Sequence, residues 1–219
     1  MDYETKFLAN LLELQYGGDV ASSLKEIAKD VWWAKGWPED NIAFWNAEAF
    51  MWGSKISSEK KSLIKQELGH LKGKNLDLGC GAYSYVKSTG LDFSPQMLKF
   101  NEQIEEGVIG NLEENLPFAD ENFASATAVF VFNYVKNYWL LISEIYRIVK
   151  DDLVVVLSAK KVNDWQHQKE VNLFPAEKWV NILREAGFAV DFVEKDNLWF
   201  FKCQKRALSR KTPFCILAP

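Results

Sequence analysis

A glycine turn and one carboxylate carry the chemistry that can be read from this chain. Asp77 lies in Leu76-Asp77-Leu78-Gly79-Cys80-Gly81, an apolar run that ends in two glycines one residue apart. Glycines there allow unusual backbone dihedrals, or let a ligand lie against the backbone where a Cβ would intrude. Asp92 closes the next short apolar run. A carboxylate at a strand tip accepts hydrogen bonds from both hydroxyls of a ribose, while the following Phe93 offers an apolar face to a purine. Ser94-Pro95 then supplies an N-cap and a proline for the first helical turn, which fixes both residues in place. A glycine turn alone serves several nucleotide chemistries, and some such turns only pack a helix on a sheet; the carboxylate that follows it narrows the choice.

The elements that must hold these residues change character along the chain. Residues 1–72 read as helices: Phe7, Leu8, Leu11, Leu12 and Leu14 trace one stripe, and Leu24, Ile27, Ala28 and Val31 another, separated by Gly17-Gly18 with Asp19 placed to cap the second helix. Five of the nine tryptophans, Trp32, Trp33, Trp37, Trp45 and Trp52, fall in this segment. That concentration makes either a packed helical cap or an aromatic binding wall. From Lys74 onward, short apolar runs alternate with helical patterns, as in a parallel sheet with crossover helices. Strands are expected at Asn75 to Leu78, Ser88 to Leu91, Gly107 to Gly110, Ala124 to Phe132, Leu153 to Ser158, Phe188 to Glu194 and Leu198 to Gln204. Pro175-Ala176-Glu177 starts a late helix and Gly187 ends it. Lys195-Asp196-Asn197 is too short for a crossover, so the last two strands must form an antiparallel hairpin. The expected organisation is a helical cap or lid over 1–72, a sheet domain over 73–206 and a tail over 207–219.

The net charge of −4 gives no global positive field to draw in nucleic acid or an anionic membrane. A polyanionic partner would need a local patch, and Lys202, Lys205, Arg206, Arg210 and Lys211 form one. Cys80, Cys203 and Cys215 are three and scattered, which fits neither a disulfide framework nor a zinc site. With no secretory signal and no bilayer-length apolar run, the expectation is a cytoplasmic protein without a membrane span or a metal. The oligomeric state is not written in the sequence.

Four ordered motifs, LDLGCG, GLDFSPQML, GNLEENLPFADENF and LISEIYRIVK, resemble class I S-adenosylmethionine-dependent methyltransferases of the UbiE/COQ5-like type (methyltransferase domain 11). They cover roughly the second third of the chain. The resemblance implies an α/β fold with a Rossmann-like seven-stranded sheet, its last strand antiparallel, and S-adenosyl-L-methionine as cofactor with S-adenosyl-L-homocysteine as product. It implies that Asp77, Gly79 and Gly81 line the methionine end, that Asp92 takes the ribose, and that Phe93 and Met97 flank the adenine. Asn111 and Leu112 would meet the adenine edge, and the stretch from Phe130 to Asn133 the methionine moiety. This chain departs from the pattern at several places. Tyr83 stands where the family has a third glycine, and fifteen positions separate Asp77 from Asp92, which leaves the first crossover helix only a turn or two. Lys150-Asp151-Asp152 replaces the usual Lys-Pro-Gly-Gly turn, and Asn133 replaces a frequent histidine.

A sulfonium methyl is already electrophilic, so the protein needs only to hold a nucleophile in line and exclude water. Trp45, Trp52 and Tyr134 are the lid and wall candidates, since an aromatic face near a sulfonium gains cation–π attraction. Each could equally be core. His167, past the fifth strand, is the one candidate base, against the plainer reading of a surface histidine. The leading expectation is transfer to a small or medium organic acceptor. RNA or protein methylation through the basic run is the second reading, and a module that binds the cofactor without transfer is the third, motivated by Tyr83 and the short crossover. A nicotinamide dehydrogenase would also use Asp92, but the incomplete glycine pattern and the terminal hairpin oppose it.

Overall fold

A computed structural model of the chain describes residues 1–160 and 164–206. The tail over 207–219, with Arg210, Lys211 and Cys215, lies outside the described residues.

The first helices are set by their caps. Helix α1 (Tyr3–Gln15) begins where the Asp2 carboxylate accepts from the Thr5 amide at 2.8 Å, and it buries Phe7 and Leu11 while Leu12 faces solvent. Helix α2 (Ala21–Ala28) starts at Val20, with no side-chain cap. Asp19 therefore does not cap it; the helix begins one residue too late for that carboxylate to serve as the N-cap. Helix α3 (Asn41–Ala49) is capped by Asp40, whose carboxylate accepts from the Ala43 amide at 2.8 Å. The short α4 (Trp52–Lys55) and α5 (Ser58–Leu68) follow. The tryptophans divide between roles. Trp33 and Trp37 form the cap's core, edge-on to Phe7 at 5.4 and 6.0 Å, and Trp32 is 78% exposed.

The sheet comprises β1 (Asn75–Leu78), β2 (Ser88–Asp92), β3 (Ile104–Ile109), β4 (Phe123–Val129), β5 (Val149–Ser158), β6 (Phe188–Lys195) and β7 (Leu198–Lys205) in the order β3-β2-β1-β4-β5-β7-β6. The pairs from β3 to β5 are parallel, and β7 runs antiparallel to both β5 and β6. This is the seven-stranded Rossmann-like arrangement expected. Strand β5 shows how the core is shared: Leu153, Val155 and Leu157 enter one cluster and Val154 and Val156 the other, the period of two that places alternate side chains on opposite faces. Helices α6 (Pro95–Phe100), α7 (Tyr138–Ile148), the four-residue α8 (Asp164–His167) and α9 (Ala176–Glu185) complete the fold. Residues of α7 and α9 cover the first face, with Leu141, Ile145 and Trp179 fully buried.

Several strand boundaries differ from expectation, the largest shift being β5, which starts at Val149 rather than Leu153. Strand β3 starts at Ile104 rather than Gly107. Strand β4 stops at Val129 rather than Phe132, because Phe130 takes a φ of 60° that no strand accommodates. The final loop is two residues, Asp196 and Asn197, with φ of 49° and 58°, so Lys195 stays in β6. Two left-handed residues in a row form the turn whose twist matches a hairpin.

The first crossover holds no helix at all, rather than the turn or two expected. Between β1 and β2 the chain is irregular and is stapled by Asn101, whose amide donates to the Gly81 carbonyl at 3.0 Å and to Ser84 Oγ at 3.0 Å. Helix α5 covers the sheet face on this side: Ile64 and Leu68 pack with Tyr85, Val156 and Phe200. Its carboxylate Glu67 pairs with Lys195 at 2.6 Å and Lys202 at 2.8 Å, locking α5 to the terminal hairpin. Ile64 is fully buried, so Ile64→Ala is expected to cost about 2–5 kcal/mol in urea denaturation. A loss below about 1 kcal/mol would show that α5 is not part of the sheet's core.

Candidate functional site

A cavity of about 410 Å³ opens at the carboxyl ends of β1, β2 and β4, within the range of small-molecule sites. It lies beside β1 and β4, where the strand order reverses, which is where open α/β sheets bind ligands.

Its floor is the glycine bend after β1. Gly79 and Gly81 have φ of 58° and 56°, a region costly for other residues. A Cβ on Gly79 would meet Val131 at 2.9 Å, so space as well as dihedral requires glycine there. At Gly81 a Cβ would meet Met97 and the Trp52 indole at 3.8 Å, which places α4 directly over the bend. Tyr83 borders the cavity without filling the bend; its ring sits edge-on to Tyr85 at 5.1 Å, with the Lys61 ammonium 4.9 Å from its centre.

Asp92 is buried at the tip of β2. One carboxylate oxygen accepts from the Gly81 amide and the other from the Ser94 amide, both at 2.9 Å. Each oxygen keeps a further lone pair, and the residue borders the cavity. Ser94 extends the arrangement: its hydroxyl accepts from the Met97 amide at 3.1 Å as the N-cap of α6 and donates to Asn46 Oδ1 at 2.8 Å. The Asn46 amide in turn donates to the Trp33 carbonyl at 2.8 Å. The cap is thus tied by buried hydrogen bonds to the same turn that holds Asp92.

Asp77, also buried, accepts from Ser84 Oγ at 2.6 Å and Thr127 Oγ1 at 2.8 Å. Burial pushes its carboxyl up to about 6, against those two hydrogen bonds and with help from the charge of Asp92. Burial likewise pushes Asp92 up to about 6, against the backbone amides of Ser94, Gly81 and Phe93. Two carboxylates held in low dielectric with raised values are characteristic of functional sites. Tyr85 adds a third feature. Its hydroxyl is buried without a hydrogen-bond partner among the described residues, and burial first, then the charge of Asp77, raises it above the usual phenol range.

The structure brings Asp77, Gly79, Gly81, Asp92, Phe93 and Met97 together around the cavity, with Asn111, Leu112 and Phe130 opposite and Trp45, Trp52 and Tyr134 over it. Trp45 and Tyr134 form an edge-on pair at 5.0 Å. Asn133 and His167 are not at the cavity. The Asn133 amide donates to Glu170 at 3.2 Å, and His167 Nδ1 lies 2.6 Å from the other Glu170 oxygen. Around them the segment after β5 acts as a clasp. Gln166 donates to Glu48 at 2.6 Å, Glu48 also pairs with Lys55, and Asn172 donates to the Val135 carbonyl at 2.6 Å. Sequence reasoning missed Tyr85, Asn46 and Lys169. Tyr85 alternates with Tyr83 past the glycines, which is a signal, but a polar residue inside an aromatic helix and a lysine in a polar stretch offer none. Among the described residues no group of His, Cys, Asp and Glu is placed to hold a metal.

Residues 76–157 match the family model described as a methyltransferase domain. An uncharacterized protein of Methanocaldococcus jannaschii is 26% identical over 151 residues, 59% of this chain and 74% of that one. A chain of the complex between the Haloferax volcanii Trm112 methyltransferase activator and its methyltransferase superposes with a TM-score of 0.61 at 16% identity, covering 77% of this chain and 99% of that one. A structure from Methanococcus maripaludis, described as a putative S-adenosyl-L-methionine-dependent methyltransferase, gives 0.59 at 15% identity, covering 77% of this chain and 95% of that one.

The raised carboxylates give a signed expectation. The folded state binds their protons more tightly than the unfolded chain, so their cost is absent below about 4, grows through about 6 and is complete above it. In urea titrations, the wild type is expected to gain stability relative to Asp92→Asn as pH falls from 7.5 to 4.5. A relative loss would mean that Asp92 is not buried as a strained anion.

Proposed function

We propose that this chain, an S-adenosylmethionine-dependent methyltransferase of class I, transfers its methyl group by in-line displacement to a small or medium organic acceptor held beneath the N-terminal helices. The placing within the UbiE/COQ5-like branch is part of the same proposal and rests on the four motifs. So is the division into a cap or lid over 1–72 and a cofactor-binding domain over 73–206. Helix α5 is then the part of the cap segment that is built into the sheet layer.

The residues present fit the cofactor. The glycine bend borders the cavity without a Cβ of its own, and one added at Gly81 would meet nothing nearer than 3.8 Å. Asp92 keeps lone pairs for the two ribose hydroxyls, which is the observation that carries the reading. Phe93 and Met97 would flank the adenine, with Asn111 and Leu112 at its edge. Asp77, Gly79 and Gly81 would hold the amino-acid end, with Phe130 contributing through the loop after β4. The orphaned Tyr85 hydroxyl is a donor with nothing to donate to, a costly condition that the carboxylate of a bound amino acid would relieve. When bound, the cofactor supplies a sulfonium-borne methyl: a lone pair of the acceptor forms the bond to the methyl carbon as the sulfur–methyl bond breaks and its electron pair returns to sulfur.

The chain's own contribution is position and dryness. Trp45, Trp52 and Tyr134 close the cavity from above, and orientation with excluded water can lower a barrier by roughly 7–11 kcal/mol in favourable cases. Burial, and next the carboxylates of Glu170 and Glu48, hold the Tyr134 hydroxyl above the usual phenol range. It therefore stays protonated at neutral pH and acts on an acceptor as a hydrogen-bond donor, not as a base. His167 is better read as a positioning residue: it holds Glu170, which holds Asn133 next to Tyr134.

A small acceptor is favoured over RNA because the two described lysines of the basic run are committed internally. Lys202 pairs with Glu67, and Lys205 donates to the Val149 carbonyl and lies 4.7 Å from the Tyr146 ring centre. No helix among the described residues is long and apolar enough to cross a membrane.

Calorimetry with S-adenosylhomocysteine tests the reading. Binding is expected in the wild type, and Asp92→Asn is expected to weaken it by about ten- to a hundredfold, the worth of hydrogen bonds to a charged group. Binding unchanged in Asp92→Asn would overturn the assignment. Tyr85→Phe is expected to weaken S-adenosylhomocysteine but leave 5′-methylthioadenosine, which lacks the amino-acid end, unaffected. Equal losses for both ligands would remove Tyr85 from that end.

A further inference from the structure

Once the adenosyl and amino-acid ends are assigned to the bend, Asp92 and the loop after β3, a distinct part of the cavity wall is left over. It consists of Ile42 and Trp45 from α3, Tyr134 and Val135 after β4, and two lysines, Lys136 and Lys169. No carboxylate belongs to this remainder. Glu113 also borders the cavity, but it stands beside Leu112 and accepts from the Lys136 backbone amide at 2.9 Å.

We propose that this remainder is an acceptor site for an organic anion: a carboxylate or phosphate on an apolar, ring-sized body, anchored by Lys169 with Lys136 beside it. The proposal rests on the cofactor assignment above. Lys169 is held at the N-terminal end of α3, where its ammonium donates to the Glu39 carbonyl and to Asn41 Oδ1, both at 3.2 Å, and lies 5.0 Å from the Phe44 ring centre. Both hydrogen-bond acceptors are neutral, Lys169 makes no ion pair among the described residues, and Glu39 is paired with Lys25 at 2.6 Å. The charge is thus fixed in place but not neutralised, which is what a site for an anion requires. Burial pulls this ammonium below the usual lysine range, against the pull of Glu39 and Asp40, as expected for a cation short of a counter-ion. The Lys136 side chain is exposed and makes no hydrogen bond or ion pair among the described residues. The same cavity is lined by Trp45, Ile42 and Val135 and by Tyr134, whose hydroxyl is protonated. An amphiphilic anion would satisfy all of them at once, whereas a cationic amine would meet two like charges.

Lys169 also joins the cap to the segment after β5, so the test must separate charge recognition from a merely structural clasp. With the protein saturated in S-adenosylhomocysteine, calorimetry would measure two matched pairs: indole-3-acetate against indole-3-acetamide, and phenyl phosphate against phenol. At least one anion is expected to bind tenfold or more tightly than its uncharged counterpart, and the pair that shows it tells carboxylate from phosphate. Lys169→Met is expected to bring that ratio toward one while Lys169→Arg keeps it. A clasp alone would weaken anion and neutral compound together and leave the ratio intact. Neutral compounds binding as well as the anions, a ratio that survives Lys169→Met, or no anion binding at all would overturn the proposal while leaving the cofactor assignment standing. Failure of S-adenosylhomocysteine itself to bind would instead remove the assignment beneath it.

Discussion

The buried carboxylate of Asp92, pinned between the amides of Gly81 and Ser94, is the constraint around which the rest is organised. Two elements that would otherwise be independent, the glycine bend after β1 and the start of α6, are registered through its two oxygens. Both must stay in place for the charge to remain compensated, because an ionised group in low dielectric is tolerated only when hydrogen-bonded. Ser94 passes this demand to the cap through Asn46. The aromatic cover is therefore hydrogen-bonded to the turn that holds Asp92, not merely laid on it, and displacing α3 would expose or orphan buried polar groups on both sides.

The second organising fact is a substitution of one element for another. A first crossover without a helix would leave Val154, Val156 and Phe200 uncovered, and α5 takes over that surface from earlier in the chain. Its Glu67 fastens it to Lys195 and Lys202 of the terminal hairpin. The shortened crossover is thus compatible with an intact sheet and an open cavity. The room is taken up by Tyr83 and Tyr85, whose edge-on pair lies at the border of the site where the family resemblance leads one to expect a third glycine.

The sheet, the glycine bend and the carboxylate beside it were legible because they depend on local rules. A left-handed bend needs glycine, and an N-cap followed by proline fixes a helix start; Gly79 with Gly81 and Ser94 with Pro95 obey these rules. Boundaries failed where tertiary packing overrode propensity. Phe130 reads as strand but turns left-handed after Val129, and Asp19 reads as a cap for a helix that starts later. The absent crossover helix was visible only as a short interval, since nothing local says that α5 will cover the gap. His167 and Lys169 show the same limit in the site: two residues apart in one polar stretch, only Lys169 borders the cavity, and the choice is made by Glu170 and by the end of α3.

A crystal structure of the protein with S-adenosylhomocysteine tests the central claim most directly. Both ribose hydroxyls should lie within hydrogen-bonding distance of the Asp92 carboxylate, with the Gly81 and Ser94 amides still bound to it and Trp52 over the bend. A ligand seated elsewhere, or a sugar turned away from Asp92 with those two amide bonds broken, would contradict it.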